Sequence, residues 1–346
     1  MASRCTTASS SAAMDGGVRL RVAVAGAGFA SGLHLDGWRR LPHVDLVGLC
    51  DPDGPKAEAR AREHGIDRVF TSVPEMLDAT RPDALDIASP MHTHVALCLL
   101  AAERGIDVVC QKPLAPTLAE AQALADAVDG RIRLMVHENW RFRAHYRRIK
   151  QWLDEGAVGE VAGCTMQVRS SGLVARDDGA RPQLVRQPFC AELPRFMIHE
   201  TLIHHVDVLR WLLGPLTVAT SRIGFGCSAI RGEDRAMILL DGERCWAMID
   251  GNASVPGVTA AVEDRLEITG SEGTVALRGS EVVVAGKRAL RESFDLAAGY
   301  ADSYAAALRH FVECLGSGAP FETDVTDNLH TLALVEDAYA RARILP

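Results

Sequence analysis

Val22-Ala23-Val24-Ala25-Gly26-Ala27-Gly28-Phe29-Ala30-Ser31-Gly32-Leu33-His34 leads, through a helical run, into Val44-Asp45-Leu46-Val47-Gly48-Leu49-Cys50-Asp51. An apolar, β-branched run ends on Gly-x-Gly, a helix-like segment follows, and a second apolar run ends on an acid. A dinucleotide-binding βαβ unit has this order. Gly26 permits the tight turn, and Gly28 lets the backbone approach a pyrophosphate. The helix opening at Phe29 and Ala30 aims its unpaired N–H groups and positive dipole end at that diphosphate. Asp51 is placed to accept the ribose hydroxyls of an adenosine, and its charge repels a 2′-phosphate. The next basic residue is Lys56, so the stretch predicts NAD in preference to NADP. The third position of the fingerprint is Ser31, small enough for close helix–strand packing.

Outward from this stretch, 346 residues suffice for two domains with their own cores. The net charge of −8 argues against nucleic acid as a partner, because phosphate binding needs a basic face. No apolar run reaches membrane-spanning length. Nine cysteines without a Cys-x-x-Cys fit reduced thiols and a cytoplasmic setting. Residues Met1 to Gly17, rich in Ser, Ala, Thr and Gly, lack the apolar core of a secretory signal and are expected to form a disordered tail.

Strands and helices alternate strictly up to His137. Helices are expected over Gly54–His64, Val73–Ala79, Met91–Arg104 and Thr117–Val128, the last with a capping box of Thr117 and Glu120. Strands are expected at Arg68–Phe70, Ala84–Ala88, Asp107–Cys110 and Ile132–Val136. Such alternation predicts an α/β fold with a parallel, doubly wound Rossmann sheet, here residues 18–138. Ligands then lie off the carboxyl ends of the strands. Beyond residue 138 the pattern changes. A helix over Phe142–Asp154, a strand over Glu160–Ser171, a helix over Met197–Leu213 and several alternating runs between Thr217 and Ala285 predict an α+β domain, residues 139–346, with an open, mostly antiparallel sheet. Two helices, Tyr300–Leu315 and Thr326–Ala342, close the chain, the last expected to pack back on the first domain. Residues 173–196 form a polar, Arg- and Pro-rich excursion of a length usually reserved for function.

Lys112 follows a strand in the half of the sheet that carries a nicotinamide ring. Beside a cationic ring and partly desolvated, it is expected to hold its proton less tightly, which suits it to take a proton from an alcohol. Taken alone, it reads as readily as a solvated loop charge. Glu200, His204, Asp207 and Trp211 recur at helical spacing and share a face. His204 then has a carboxylate one turn away on either side to fix its tautomer. The alternative is a core helix with an internally bonded histidine, a description that suits His205 better. A zinc helix fails on spacing. Residue 203 is Ile, and His204 lies about 140° around the helix from His199, so no metal is expected. Asn139 and Arg141, at the domain join, are candidates for holding substrate. Arg176, Arg181, Arg186 and Arg195 are either substrate-orienting or solvated charges.

Three segments together resemble the Gfo/Idh/MocA oxidoreductases, the glucose–fructose oxidoreductase and inositol dehydrogenase family. Val108-Val109-Cys110-Gln111-Lys112-Pro113 resembles the family's Glu-Lys-Pro signature, with Gln111 at the usual Glu. Ser89-Pro90-Met91-His92-Thr93-His94 resembles its Thr-Pro-Asn-x-x-His loop. Glu200 to Gly214 resembles its Asp-x-x-x-His-x-x-Asp helix, with Glu200 at the usual Asp. The resemblance implies cofactor contacts from Ser89, Pro90, His94, Gln111 and Lys112 besides Gly26, Gly28, Phe29, Ala30 and Asp51. It implies proton transfer at Lys112 and His204, with Glu200 beside them, and a substrate pocket and oligomer interface, as a dimer or tetramer, built on the second domain's sheet. The implied reaction is oxidation of a sugar, polyol or sugar derivative by hydride transfer to NAD. The string His137-Glu138-Asn139-Trp140-Arg141-Phe142 resembles a subgroup acting on free sugars, apiose among them. The alternatives are a non-catalytic NAD-sensing regulator on the same fold and a keto-sugar reductase.

Overall fold

The computed structural model describes residues 19–259 and 261–344, so the expected tail Met1–Gly17 lies outside the described residues. The first half runs β1 (Leu20–Ala25), α1 (Phe29–Arg39), β2 (Val44–Cys50), α2 (Gly54–His64), β3 (Val69–Phe70), α3 (Val73–Thr80), β4 (Ala84–Ile87), α4 (His94–Ala102), β5 (Asp107–Gln111), α5 (Leu118–Val128) and β6 (Leu134–His137). All pairings are parallel, in the order β3-β2-β1-β4-β5-β6. The order reverses between β1 and β4, and the crevice above their carboxyl ends is where a ligand binds in such sheets. Strands β4 and β6 are buried along their whole length, consistent with helices on both faces.

Local chemistry sets the boundaries. Asp53 caps α2 by accepting from Lys56 N. Thr117 caps α5, its hydroxyl accepting from Glu120 N and donating to Glu120 Oε2, so Glu120 meets the cap's side chain instead of its backbone. The helix expected from Met91 begins as a tight 3-10 turn, Met91–Thr93, because Pro90 O accepts from both Thr93 N and Thr93 Oγ1.

The second half runs α6 (Ala144–Asp154), β7 (Val161–Arg169), α7 (Pro182–Arg186), α8 (Ile203–Leu213), β8 (Leu216–Gly224), β9 (Arg235–Gly242), β10 (Trp246–Asn252), β11 (Glu263–Gly270), β12 (Gly273–Arg278), β13 (Glu281–Gly286), β14 (Leu290–Ser293), α9 (Leu296–Ser317), α10 (Val325–Ala340) and β15 (Ala342–Ile344). Its nine-stranded sheet has the order β14-β13-β12-β11-β7-β10-β9-β8-β15. The sheet is mixed: β7 with β10 and β8 with β15 are parallel, and the other pairs are antiparallel. One face packs under α8 and α10. The other presents Met237, Trp246 and a shallow groove lined by Thr165, Gln167, Arg265, Glu267 and Arg278.

Two features depart from the sequence expectation. The excursion is not structureless: it holds α7 and a 3-10 segment, Pro188–Glu192. The helix expected over Met197–Leu213 opens with a π turn, Met197–Leu202, before α8. Glu233, just before β9, shapes that turn by accepting from Phe196 N and Ile198 N. Helix α9 lies along α1. Leu308 and the Ala305 backbone press against Gly37, and Leu308 and Phe311 share a core with Val22, Leu35 and Trp38. Helix α10 packs on α8 and α5.

Leu308, fully buried at this joint, provides the test. Leu308→Ala is expected to lower unfolding free energy by about 2–5 kcal/mol, as other buried leucine truncations do. Urea unfolding curves measure it, and a loss under 1 kcal/mol (on the order of an exposed-site change) would place α9 outside the cooperative unit.

Candidate active site

The dinucleotide cradle is built by two glycines with different tasks. Gly26 has φ +111°, and a Cβ there would lie 2.5 Å from Ala88 O, so only glycine fits between β1 and β4. Gly28 has open space where its Cβ would project. It caps α1, whose first turn carries no acid to compete for an anion. Ser31 is fully buried and bonds Gly28 O at 2.8 Å, so the small third position serves packing. Phe29 is exposed and Ala30 half-buried at the helix mouth.

Asp51 closes the far end of the cradle. Oδ2 accepts from Ala27 N at 2.8 Å and Oδ1 from Asp53 N at 3.0 Å. Oδ1 keeps a further lone pair for a hydroxyl. Lys56 is not remote from it: the first turn of α2 brings Nζ to 3.4 Å from Asp51 Oδ2.

The loops after β4 and β5 come together through buried groups. His94 lies between Ser89 O and Pro113 O, 2.9 Å from each. Burial lowers its pKa, so one ring nitrogen donates at a time. Gln111 accepts from Lys112 N through Oε1 at 2.7 Å and reaches His34 Nε2 at 3.1 Å through Nε2. His34 Nδ1 and Trp38 Nε1 both donate to Asp86 Oδ2, at 2.9 and 2.7 Å. His94 and Gln111, expected at the cofactor, are therefore struts under the loops that carry Pro90 and Lys112. Asp86, a lone acid in the apolar strand Ala84-Leu85-Asp86-Ile87, was the signal for this strut that the sequence offered.

Lys112 and Glu200, 88 positions apart, meet across the domain join. Lys112 Nζ donates to Glu200 O at 2.7 Å and to Glu200 Oε1 at 3.0 Å. The π turn shifts the helical ladder to longer steps, and within it the Glu200 carbonyl takes the lysine. The same change of pitch corrects the expected partners of His204. Its carboxylate is neither Glu200 nor Asp207 but Glu138, immediately after β6, with Nδ1 2.7 Å from Oε2. Trp140 stacks on the imidazole at 4.1 Å and 11°. Burial first, and the Lys112 charge second, hold His204 well below the usual histidine range. Glu138 is fully buried, and burial pushes its carboxyl up to about 7 against the pull of Lys112, Arg141 and Arg210. His205 is bonded inside the fold, as its pointing predicted, with Nε2 2.9 Å from Asp264 Oδ1.

Asn139 and Arg141 are not at the cleft. Asn139 Nδ2 bonds Ser303 Oγ at 2.8 Å. Arg141 clasps Asp207 through two nitrogens at 2.6 Å each, and also bonds Asp327 Oδ2 and Glu322 O. Four of its five N–H groups are thereby committed to protein, and burial leaves no face for a substrate. Trp211 lies under the Arg147 guanidinium. In the excursion, Arg195 pairs with Glu336 and Arg181 bonds Leu173 O, while Arg186 lies over the Phe29 ring at the mouth of the cradle.

A doubly wound sheet with this cradle, beside a second domain that brings Glu200 to Lys112 and His204 to Glu138, defines a two-domain dinucleotide-dependent oxidoreductase. Residues 20–138 match the oxidoreductase family with an NAD-binding Rossmann fold, and residues 146–276 match the GFO/IDH/MocA C-terminal domain. The chain belongs to the Gfo/Idh/MocA oxidoreductase family. A D-apiose dehydrogenase of Paraburkholderia graminis is 34% identical, the match covering 94% of this chain and 88% of that one. A second D-apiose dehydrogenase, from Rhizobium rhizogenes, is 30% identical over 93% of this chain and 95% of its own. Among solved structures, an oxidoreductase from Agrobacterium radiobacter in complex with NAD+, L-tartaric acid and magnesium superposes with a TM-score of 0.86 at 29% identity, covering 94% and 96% of the two chains. Among the described residues no helix is long and apolar enough to cross a membrane, and all eight described cysteines are free thiols.

The two glycines separate fold from cofactor. Gly26→Ala is expected to lower the thermal midpoint, because its Cβ has backbone in its way. Gly28→Ala, facing open space, is expected to leave the midpoint within a few degrees yet weaken NADH binding, read by fluorescence titration. Equal NADH affinity in Gly28→Ala and the parent would show that the diphosphate does not rest there.

Proposed function

We propose that this chain oxidises a hydroxyl of a free sugar, polyol or sugar derivative with NAD, a branched aldose such as apiose being the favoured substrate. The observation that carries the reading is the meeting of Lys112, Glu200 and the His204–Glu138 pair at the join of the two domains, off the carboxyl end of β5. The two apiose dehydrogenases, similar over nearly the whole chain, support the substrate class.

The residues present fit an NAD molecule. Gly28 and the free N–H groups of α1 suit a diphosphate, Asp51 suits an adenosine ribose, and Ser89 and Pro90 flank the path toward Lys112. Bound NAD supplies the hydride acceptor, its nicotinamide ring. The protein's part is to hold the carbinol and manage its proton. Lys112 Nζ, with two hydrogens given to Glu200, has one left for the reacting oxygen. Glu200 orients Lys112 and offers its remaining carboxylate oxygen to a neighbouring hydroxyl. His204 Nε2, without a hydrogen-bond partner among the described residues, takes the same oxygen from the other domain in this reading. In this reading residues 18–138 form the cofactor domain and residues 139–346 the substrate domain. The exposed sheet face around Met237 and Trp246 seats a second copy of the chain, the kind of contact an apolar patch on an open sheet invites.

Lys112→Met is expected to cut turnover by a factor on the order of 10²–10⁴, with NADH still bound, when NADH formation is followed over a panel of aldoses and polyols. Near-normal turnover in the variant would remove Lys112 from the chemistry. A panel in which no sugar or polyol reduces NAD would remove the substrate class.

A further inference from the structure

Glu138 is a fully buried acid, and its neighbours leave it incompletely satisfied. Oε2 lies 2.7 Å from His204 Nδ1, while Oε1 has no hydrogen-bond partner among the described residues. A buried carboxylate with one oxygen unpaired is costly, and a buried carboxylic acid costs less. The other acids nearby are already used. Glu200 holds Lys112, Asp207 holds Arg141, and Asp264 takes His205, Tyr146 and Trp140. His204 in turn cannot comfortably carry a charge by itself, since it is buried under Trp140.

We propose that Glu138 is a positioning residue of the reaction, and that Glu138 and His204 accept the substrate proton as one unit. In the resting pair the Nδ1–H donates to the Glu138 carboxylate, which leaves the Nε2 lone pair toward the cleft. As the O–H bond of the carbinol breaks, its proton bonds to Nε2. The Nδ1 proton shifts to Oε2, and the pair passes from one negative charge to none. No lone imidazolium is left in a dry site, and the electron pair of the C–H bond leaves with the hydride as in the parent reaction. The inference rests on the dehydrogenase reading and names the proton acceptor within it. Lys112, already donating to two oxygens of Glu200, is left the donor's role.

Charges on every packed element bear on the pair. Lys112, Arg141 and Arg210 favour the ionised carboxylate, and Asp327 opposes it. On the imidazole, Lys112 and His205 disfavour a proton, while Asp207 and Asp264 favour it. Burial dominates both groups, and the carboxyl is pushed up to about 7. Oxidation needs the unit with its Nε2 bare, so turnover should fall as pH drops through that region. Without the carboxylate, His204 binds its proton more weakly, and the acid limb of the profile should move to lower pH while the plateau drops.

Two measurements test this. In Glu138→Gln, kcat is expected to fall about 10²-fold, the size of a lost proton-transfer partner, with the acid limb displaced downward and the sugar KM and NADH affinity within about threefold. Glu138→Asp should recover at least part of the loss. A kcat within threefold of the parent, or an acid limb that stays in place, overturns the proposal. If the amide variant does not fold, the parent protein decides. With 15N-labelled histidine and bound NAD, His204 at about pH 8 should carry its proton on Nδ1, the signal being assigned by its loss in His204→Gln. A proton on Nε2 there overturns the proposal. The tautomer is read whether or not any sugar is turned over, so failure of the substrate class and failure of this inference remain distinct.

Discussion

One ion pair spans the two halves of this molecule at the place where chemistry is expected: Lys112 from the end of the parallel sheet and Glu200 from the turn that opens α8. Its geometry depends on a helix that is wound wrongly for an ordinary α-helix. A regular turn would direct the Glu200 carbonyl into its own ladder and put Glu200 above His204. The π turn instead releases Glu200 toward the lysine. That turn is shaped from elsewhere, by Glu233, which accepts from Phe196 N, Ile198 N and Tyr339 Oη. A strand-end acid and a residue of the last helix thus set where the acid of the site points.

Behind this pair the domain join is filled with charge. Arg141, Asp207, Asp327 and Arg210 form one network with Arg141 and Asp207 buried at its centre, and Arg141 is held more firmly protonated by its two carboxylates than burial alone would allow. Asp264 is the centre of a second. Burial would raise its carboxyl, but His205, Arg143 and Tyr146 pull it well below the usual range. Such networks add little net stability, yet removing one partner costs about 3–5 kcal/mol, because the other charge stays buried. Their value here is geometric. They lie within the second domain, where they tie Arg141 and Arg143 to α8 and β11 and so fix the helix that carries His204.

Much of the frame was legible along the chain. Helix α2 follows from the Asp53 cap, and the parallel sheet follows from alternation of apolar runs with helical ones. The nearly continuous apolar character of Ala84–Ile87 marks a strand covered on both faces. What escaped notice was weakly patterned or short. Strand β14 alternates half-buried with exposed, β15 is three residues long, and α9 starts early because Asp295 caps it by accepting from Ala297 N and Ala298 N. In the site, Lys112, Glu200 and His204 stood out by residue type and place. Arg141 and Asn139 stood out too, but for structural reasons, since buried polar groups at a join look the same in sequence as groups that meet a ligand.

The sequence by itself determined the cradle, because a turn that only Gly26 can make and a helix that starts at Phe29 are local matters of backbone torsion and unpaired N–H groups. It also determined which half of the chain carries the cofactor, through the order of strands, helices and the acid at 51. Tertiary structure alone decided the pairings at the candidate site and behind it: Glu138 with His204, Glu200 with Lys112, Arg141 with Asp207. Those contacts join residues 66 or more positions apart. The Glu200 pairing turns on the pitch of a single turn, and that pitch answers to hydrogen bonds with Glu233 and Tyr339, which no local spacing rule contains.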